Sequence, residues 1–406
     1  MSEWKCYKLN EISSLSNGIN FDKSAYTSGV KLIGVSDFKN RIHPDYDSLQ
    51  EVDSKVVKSG DYLEKGDIVF VRSNGNKELV GRCMMIDRDI PVTYSGFCIK
   101  LRLNDKKIFD PVFFNYLFKT RQFKKSMTGT AVGANIQNLS QSRLGSCEVN
   151  VPDIEIQKEI ATILSRYDSL IENYQKQIKL LEEAAQRLYK EWFVDLHFPG
   201  HENTKIVDGV PEGWKNLKVT DSDLFKFAKC RITPFEGEKS YYATADVENT
   251  YMSSTGVLVD YDNKPSRAQI QPSRYSVWFA RMSNTYKIIG FAQANEVRRA
   301  TSILSSGFAG FESSYDNYAY LYCLVSSKWF DEQKNRFATG ATQVSLTNEG
   351  LSRIKYLSPD SKIVKKFSIK TNKIIETIFL LRESCFELSE ARDRLLPKLM
   401  SGEIAV

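Results

Sequence analysis

The chain repeats itself at a spacing close to 207 residues. The segment LEEAAQRLYK begins at Leu181, and the related segment LSEARDRLLPK begins at Leu388, 207 positions later. The same offset joins Pro152 to Pro359. Solenoid repeats are roughly 20–50 residues long, so this spacing in a chain of 406 residues indicates one duplication of a whole folding unit.

Matching positions nearer the start of each half lie at slightly larger offsets. Arg72 matches Arg281 at an offset of 209, and Ser95-Gly96-Phe97 matches Ser306-Gly307-Phe308 at 211. Loop insertions of a few residues produce drift of this kind. The two halves are therefore expected to share one order of elements and to form a pseudo-twofold internal repeat.

The first part of each half has the patterns of a mixed domain. Residues 68–72 have the composition of a short buried strand, and residues 97–103 alternate apolar and polar side chains as a half-exposed strand does. Asp110 before Pro111 predicts the start of a helix that continues to Phe123. Strands at 277–281 and 288–292 and a helix near 318–330 repeat this order. The predicted fold class is α+β, with two similar mixed α/β domains.

The second part of each half has apolar residues at alternating spacings of four and three, which is the pattern of a coiled-coil seam. Because each helix begins where one domain ends, the two helices are expected to run antiparallel and to separate the domains. The predicted seam residues are Ile160, Leu164, Tyr167, Ile171, Tyr174, Ile178, Leu181 and Leu188 in the first helix and Phe367, Ile374, Ile378, Leu381, Cys385, Leu388 and Leu395 in the second.

Five segments follow from these patterns. They are a first domain at 1–152, a spacer helix at 153–198, a linker at 199–213, a second domain at 214–359, and a second spacer helix with a C-terminal tail at 360–406.

Composition narrows the functional classes. The net charge of +6 permits nucleic-acid binding without requiring it. No apolar run approaches the roughly 18 residues of a membrane span, and the seven scattered cysteines predict reduced thiols, so we expect a cytoplasmic protein.

His197 and His201 have the spacing of a metal pair, but Pro199-Gly200 between them favours a solvated linker, and we predict no metal site. Asp37 and Asp246, matched at an offset of 209, are interpreted as turn caps or as residues with a shared packing role, rather than as acid–base catalysts.

Several short segments occur in a characteristic order within this duplicated frame. They are Trp4, Gly66-Asp67-Ile68, PDIEIQKEI from Pro152, YKEWF from Tyr189, Glu212-Gly213-Trp214 and LMSGEI from Leu399. With them the chain resembles, over essentially its whole length, the specificity subunit of type I restriction–modification enzymes of bacteria and archaea.

The resemblance implies a non-catalytic subunit in which each domain is a target-recognition domain that reads one half of a bipartite sequence in double-stranded DNA. The helices would bind two modification (methyltransferase) subunits, and restriction (endonuclease and translocase) subunits would join them. S-adenosylmethionine, ATP and Mg²⁺ would be used by those partners, with no cofactor in this chain. Two alternatives stay open: a coiled-coil adapter that joins protein partners without reading DNA, and an enzyme with an unrecognised site.

The candidate DNA contacts are polar residues at matched places in the two halves. Arginine and asparagine can pair bidentately with base edges, and small glycine-bearing loops allow close approach to the phosphate backbone. A structural arginine at a strand end and a plain turn are the competing interpretations. The candidates are Arg72, Asn74, Lys77, Lys124, Lys125, Thr130 and Asn135 in the first half and Arg281, Asn284, Lys287, Arg336, Thr339, Thr342 and Gln343 in the second.

Overall fold

The structure is a computed structural model, which describes residues 4–38, 41–73, 79–128, 138–341 and 343–406. The chain forms two compact units. Unit 1 contains Met1–Ile171 together with Glu387–Val406, and unit 2 contains Glu172–Phe386. Each unit therefore includes a domain and a part of each long helix.

Unit 1 contains nine described strands and the start of the first long helix. The strands are β1 (Lys5–Lys8), β2 (Ser13–Asn17), β3 (Tyr26–Ile33), β4 (Gln50–Val52), β5 (Ile68–Val71), β6 (Cys83–Met85), β7 (Val92–Tyr94), β8 (Cys98–Leu103) and β9 (Glu148–Val151). The helices are α1 (Leu9–Ile12), α2 (Pro111–Leu117), α3 (Arg121–Thr128), α4 (Gln141–Gly145) and α5 (Ile154–Phe193).

The strands of unit 1 form a four-stranded sheet in the order β2-β8-β5-β6, a three-stranded sheet in the order β4-β3-β7, and the pair β1-β9. The pairing of β3 with β7 is parallel. In β5, Ile68 and Phe70 pack in the core beneath the helices, whereas Val69 and Val71 pack in a second core. The four-stranded sheet is therefore covered on both faces, which explains why β8 is almost wholly buried rather than half exposed as its alternation predicted.

Unit 2 contains fourteen described strands. They are β10 (Ile206–Val207), β11 (Val210–Pro211), β12 (Lys215–Lys218), β13 (Phe225–Phe227), β14 (Lys239–Tyr242), β15 (Val247–Glu248), β16 (Tyr251–Met252), β17 (Val257–Val259), β18 (Ala268–Ile270), β19 (Ser276–Ala280), β20 (Ile288–Phe291), β21 (Ser302–Ser305), β22 (Phe308–Ser313) and β23 (Lys355–Ser358). The helices are α6 (Glu296–Thr301), α7 (Tyr315–Val325), α8 (Lys328–Arg336), α9 (Asn348–Leu351) and α10 (Ser361–Met400).

The sheets of unit 2 repeat those of unit 1. The order β13-β22-β19-β20 corresponds to β2-β8-β5-β6, and β12-β23 corresponds to β1-β9. The second sheet, β17-β14-β21-β18, again contains one parallel pair, β14 with β21. Mixed helix and strand in both units confirm the predicted α+β class.

Matched carboxylates cap matched turns in the two units. Asp37 accepts a hydrogen bond of 2.8 Å from the backbone N–H of Gly34, and Asp246 accepts one of 2.7 Å from Ala243. Both caps hold a short turn that follows a strand of the second sheet. Of the two roles expected for these aspartates, turn capping is the one that these hydrogen bonds show.

The short helix after β8 is interrupted. Asp110 accepts a hydrogen bond from the backbone N–H of Phe113, so α2 begins at Pro111 as predicted. The helix stops after Leu117, because the Thr120 hydroxyl accepts from the N–H of Phe123 and starts a second helix, α3. Ser327 does the same in unit 2, between α7 and α8. The single helices predicted to Phe123 and across 318–330 are therefore pairs.

Within each unit the two long helices pack antiparallel and are joined by a half-buried ion pair. In unit 1, Asp168 on α5 pairs with Arg392 on α10 and also accepts a hydrogen bond from Tyr116 on α2. In unit 2, Glu182 on α5 pairs with Arg382 on α10, which donates to the hydroxyl of Tyr322 on α7. Each network fastens a domain helix to the helix pair.

The predicted seam residues lie on the inner faces of the long helices. Ile160, Leu164, Ile171, Phe367 and Ile378 are buried, and the other ten are half-buried. The heptad pattern missed Ile375 and Phe379, which are also fully buried. Phe379 packs against Tyr318 and Tyr322 of α7, so α10 is covered on a second face by the domain and not by a partner helix alone. The coiled-coil role of the seam stays a prediction.

Candidate nucleic-acid interface

The matched arginines follow the central strand of each four-stranded sheet. Arg72 comes directly after β5 and Arg281 directly after β19. The carbonyl oxygen of Arg72 accepts a hydrogen bond of 2.7 Å from Leu139, and that of Arg281 accepts one of 2.8 Å from Leu346. The two backbones are therefore held alike, and any difference between the sites lies in the side chains.

The guanidinium of Arg281 is bound within its own domain. It donates to the carbonyl oxygens of Phe308 at 3.3 Å and Leu346 at 2.9 Å and to Oδ1 of Asn348 at 2.8 Å. Burial lowers the pKa of this guanidinium from its ordinary value. Because its donors already have protein acceptors, the site favours the structural interpretation of Arg281 over base recognition.

Arg72 is in a different situation. Its side chain is half-buried, and among the described residues none accepts a hydrogen bond or ion pair from its guanidinium. It lies next to the turn between β7 and β8, because its backbone N–H donates to the carbonyl oxygen of Phe97 at 2.8 Å. Within the part of the chain that the structure describes, Arg72 thus differs from Arg281, and its DNA contact stays a prediction.

The structure corrects the match between the two turns. The backbone N–H of Arg281 donates to the carbonyl oxygen of Gly307 at 3.0 Å, as that of Arg72 does to Phe97. The N–H groups of Phe97 and Gly307 each donate to a serine hydroxyl two residues earlier, Ser95 and Ser305, at 3.2 Å. Phe97 therefore corresponds to Gly307 at an offset of 210, and not to Phe308 at 211.

This corrected match reveals an exposed aromatic residue in one turn only. The Phe97 side chain is 61% exposed, whereas the Phe308 side chain is 1% exposed and packs in the core of unit 2. At the position of Phe97, unit 2 has no side chain. The sequence comparison had paired the two phenylalanines and so concealed the difference.

An arginine of another loop lies over Gly307. A Cβ atom placed on Gly307 would be 3.3 Å from Nη2 of Arg267. Arg267 precedes β18 and is exposed, and within the described ranges its guanidinium has no partner. Its carbonyl oxygen accepts a hydrogen bond of 2.8 Å from the N–H of Ser306, which fixes its loop to the turn.

The remaining candidates of unit 2 divide into bound and exposed side chains. Lys287 donates to the carbonyl oxygen of Thr244 at 2.7 Å and is half-buried. The backbone N–H of Asn284, which has a φ of 55°, donates to Oδ1 of Asn335 at 2.9 Å. The side chain of Asn284 is exposed, and the other exposed candidates lie at or after the end of α8; they are Arg336, whose guanidinium stacks over Phe337, and Thr339 and Gln343.

In unit 1, Lys124 and Lys125 lie on the exposed side of α3. Five other candidates fall outside the described residues. They are Asn74, Lys77, Thr130 and Asn135 of the first half and Thr342 of the second. None of the DNA contacts is tested by the structure alone, so they stay predictions.

The described ranges contain no group of three or more metal-ligating side chains arranged to hold a metal ion. The rings of His197 and His201, which lie after the end of α5, are 5.3 Å apart and tilted by 48°. In the same ranges no helix is long and apolar enough to cross a membrane.

Comparison with known proteins assigns the first half. Residues 1–183 match the family of the type I restriction modification DNA specificity domain. This part of the chain is such a specificity domain. It contains all three sheets that β1 to β9 form and the start of α5. The resemblance drawn from the order of the short motifs is confirmed.

Relatives of the specificity domain extend the match beyond residue 183. The chain is 26% identical over 303 residues to the type I restriction enzyme MjaIX specificity subunit of Methanocaldococcus jannaschii, covering 72% of this chain and 68% of the relative. It is 24% identical over 472 aligned positions, and 100% of both chains, to the HindI specificity subunit of Haemophilus influenzae.

The crystal structure of a type I restriction–modification S subunit from M. genitalium has the same fold. It matches with a TM-score of 0.58 and 16% identity over 98% of this chain and 96% of that one. At this identity the likeness concerns the fold alone. It covers the second half as well as the specificity domain, in agreement with the repeated sheet orders.

Proposed function

We propose that the chain is the sequence-recognition subunit of a type I restriction–modification complex. Each domain would read one part of a bipartite target in double-stranded DNA. The observation that carries the proposal is that the DNA specificity domain of residues 1–183 has a second copy of its sheet topology in unit 2. A chain with two such domains has two surfaces for DNA.

The arginines beside the two corresponding turns support DNA as the ligand. Arg72 in unit 1 and Arg267 in unit 2 each present a guanidinium without a partner among the described residues. Guanidinium groups at such positions can contact phosphates or the O6 and N7 atoms of guanine. No catalytic role is proposed for any residue, and S-adenosylmethionine, ATP and Mg²⁺ are assigned to partner subunits.

The outer faces of the long helices support partner docking. Leu170 and Leu180 on α5 and Ile369 and Leu380 on α10 are between 44% and 73% exposed. Exposed apolar side chains of this size are ones that a partner surface would remove from water. We propose that two modification subunits bind there and that restriction subunits join the assembly.

Docking is tested by co-purification from the native host. Replacing Leu180 with lysine should reduce recovery of the modification subunits with the tagged chain, because a charge would enter an apolar contact. Lys176→Ala on the same helix is the control, since Lys176 is exposed and outside the apolar set. Equal recovery with Leu180→Lys and Lys176→Ala would contradict docking at this face.

Recognition is tested by mapping methylated bases in the genome of a host that carries the complete system. The expected result is methylation at two short specific segments separated by a constant gap of unspecified bases, lost when this chain is deleted. Methylation that persists in the deletion strain would contradict the proposal. Assembly without any sequence preference for DNA would instead support an adapter that only joins proteins.

A further inference from the structure

We propose that one turn position, Phe97 in unit 1 and Gly307 in unit 2, determines which base chemistry each domain reads. In unit 1, Phe97 makes an apolar contact with the methyl group of a thymine. In unit 2, where no side chain occupies the position, Arg267 fills the space and pairs with a guanine. This inference rests on the proposed function, which it deepens by naming the reading residues.

The comparison between the turns rests on their hydrogen bonds. In each turn, the carbonyl oxygen of Phe97 or Gly307 accepts a hydrogen bond from the backbone N–H of the arginine that follows the strand. The N–H of the same turn residue donates to a serine hydroxyl two residues earlier. Phe97 and Gly307 therefore occupy one structural position, although the N–H one residue earlier donates to Ile19 in unit 1 and to Arg267 in unit 2. A difference in side chain at a shared position is what two domains need if they are to read different bases.

Phe97 is presented on a rigid turn. The N–H of Gly96 donates to the carbonyl oxygen of Ile19 at 2.7 Å, and the N–H of Cys98 donates to Ser95 at 2.8 Å. A Cβ atom on Gly96 would be 2.1 Å from Oδ1 of Asn20, so this position cannot carry a side chain without displacing that residue. The turn is closed on its inner side, and the phenyl ring projects to solvent.

An exposed phenylalanine by itself is ordinary on protein surfaces. Phe97 differs because Arg72, whose guanidinium has no described partner, directly adjoins it along the backbone. An apolar side chain and an arginine whose backbones are joined in this way can contact neighbouring parts of the major-groove edge of DNA, where a thymine methyl lies near base and phosphate acceptors.

In unit 2 the arginine after the central strand cannot serve in this way. Arg281 donates to three protein acceptors, so contacting a base would leave the carbonyl oxygen of Leu346 without its side-chain donor. Arg267 has no such commitment among the described residues and lies over the turn. Bidentate pairing of arginine with guanine is the commonest specific contact in the major groove.

The test is selection from a library of randomised duplexes by the complex assembled in its host. Arg267→Ala should lower discrimination at one guanine of the unit 2 half-site by roughly 5- to 150-fold and leave the other half-site unchanged. Phe97→Ala should lower discrimination at one thymine of the unit 1 half-site by about fourfold, which is the effect of one buried methyl group.

Gly307→Phe converts one turn into the other. The nearest atoms to a Cβ there are the ends of the Thr244, Arg267 and Ser305 side chains, so the turn can accept the substitution by moving them. This variant should weaken the guanine preference of the unit 2 half-site as Arg267→Ala does. Retention of the wild-type guanine preference by Gly307→Phe would contradict a role for Arg267 at this position.

Two controls separate local effects from general ones. Ile108→Ala removes another exposed apolar side chain of unit 1, which is 51% exposed, and Lys355→Ala removes an exposed charge of unit 2 on β23. Neither should change the selected motif. If Phe97→Ala and Arg267→Ala also leave the motif and affinity unchanged, the inference fails while the proposed function stands.

Two further outcomes have different meanings. If the wild-type complex selects no motif at all, the proposed function itself fails. If Phe97→Ala reduces assembly with the modification subunits but leaves the motif intact, the turn binds protein, and the assignment of Phe97 to DNA is overturned.

Discussion

Nη1 of Arg281 donates a hydrogen bond of 2.9 Å to the carbonyl oxygen of Leu346, whose own N–H donates at 2.8 Å to the carbonyl oxygen of Arg281. The two residues are 65 positions apart in the chain. Together they hold the end of β19 against the segment that precedes α9. This pairing makes Arg281 part of the domain's framework.

Arg281→Ala is therefore expected to lower the free energy of unfolding by about 1–3 kcal/mol, because buried acceptors lose their donor. The measurement is denaturant unfolding of the full chain. Arg72→Ala is the matched control, since its guanidinium has no described partner, and it should change stability by no more than about 0.5 kcal/mol. Equal effects of the two substitutions would contradict the structural assignment of Arg281.

The pair of Asp168 and Arg392 provides a second test. Their side chains are 13% and 18% exposed. Asp168→Asn should destabilise the chain by about 1–3 kcal/mol, because Arg392 then keeps only the more exposed Asp393 as its acidic partner. A double-mutant cycle with Arg392→Met should give a coupling energy of at least about 0.5 kcal/mol. Additive effects of the two single substitutions would show that the pair is not energetically linked. Glu155→Gln, which removes an exposed ion pair on the same helix, is the control and should be nearly neutral.

Neighbouring residues on α10 test its second buried face. Phe379 is 1% exposed and packs against Tyr318 and Tyr322, whereas Leu380 is 54% exposed. Phe379→Ala should cost about 3–5 kcal/mol through lost packing and the cavity that remains. Leu380→Ala should stay within about 0.5 kcal/mol in the full chain measured alone. A small effect of Phe379→Ala would mean that α7 does not pack on α10 in solution.

Glu296 gives a dependence of stability on pH. Hydrogen bonds from Arg299 and then Arg274 lower the pKa of this carboxyl to about 2. Because the folded-state pKa is depressed, the stabilisation is present above the ordinary value near 4.5 and is lost as the pH falls toward 2. The difference in unfolding free energy between wild type and Glu296→Gln should therefore shrink between about pH 4.5 and pH 2. A difference that is constant over this range would show that the two arginines do not hold the carboxylate.

The features predicted from the sequence are those that local periodicity determines. The duplication follows from segments that recur about 207 residues apart, and the two long helices with the inner positions of Ile160, Leu164 and Ile378 follow from spacing along a helix. The start of α2 at Pro111 follows from Asp110, whose side chain caps the backbone N–H of Phe113 three residues later. Such signals need no knowledge of distant contacts.

The features that sequence reasoning missed depend on distant contacts. The acceptors of Arg281 lie 27 to 67 residues away, so nothing near position 281 shows that its guanidinium is bound. The burial of Phe379 arises from α7, which a heptad pattern cannot represent. Arg267 approaches Gly307 from a separate loop. A one-residue shift in the repeat alignment concealed Phe97, and the shared hydrogen bonds of the turns were needed to correct it.

The most direct test of the whole account is equilibrium binding of the assembled complex to a duplex that carries its mapped target, compared with a scrambled duplex, over a range of salt concentrations. The account predicts binding to the target at least about 10³-fold tighter than to the scrambled sequence. Affinity for both duplexes should fall as salt rises, because phosphate contacts release counterions. Equal affinity for the two duplexes would contradict the account. So would a preference for the target that changes when the partner subunits are altered but not when this chain is altered.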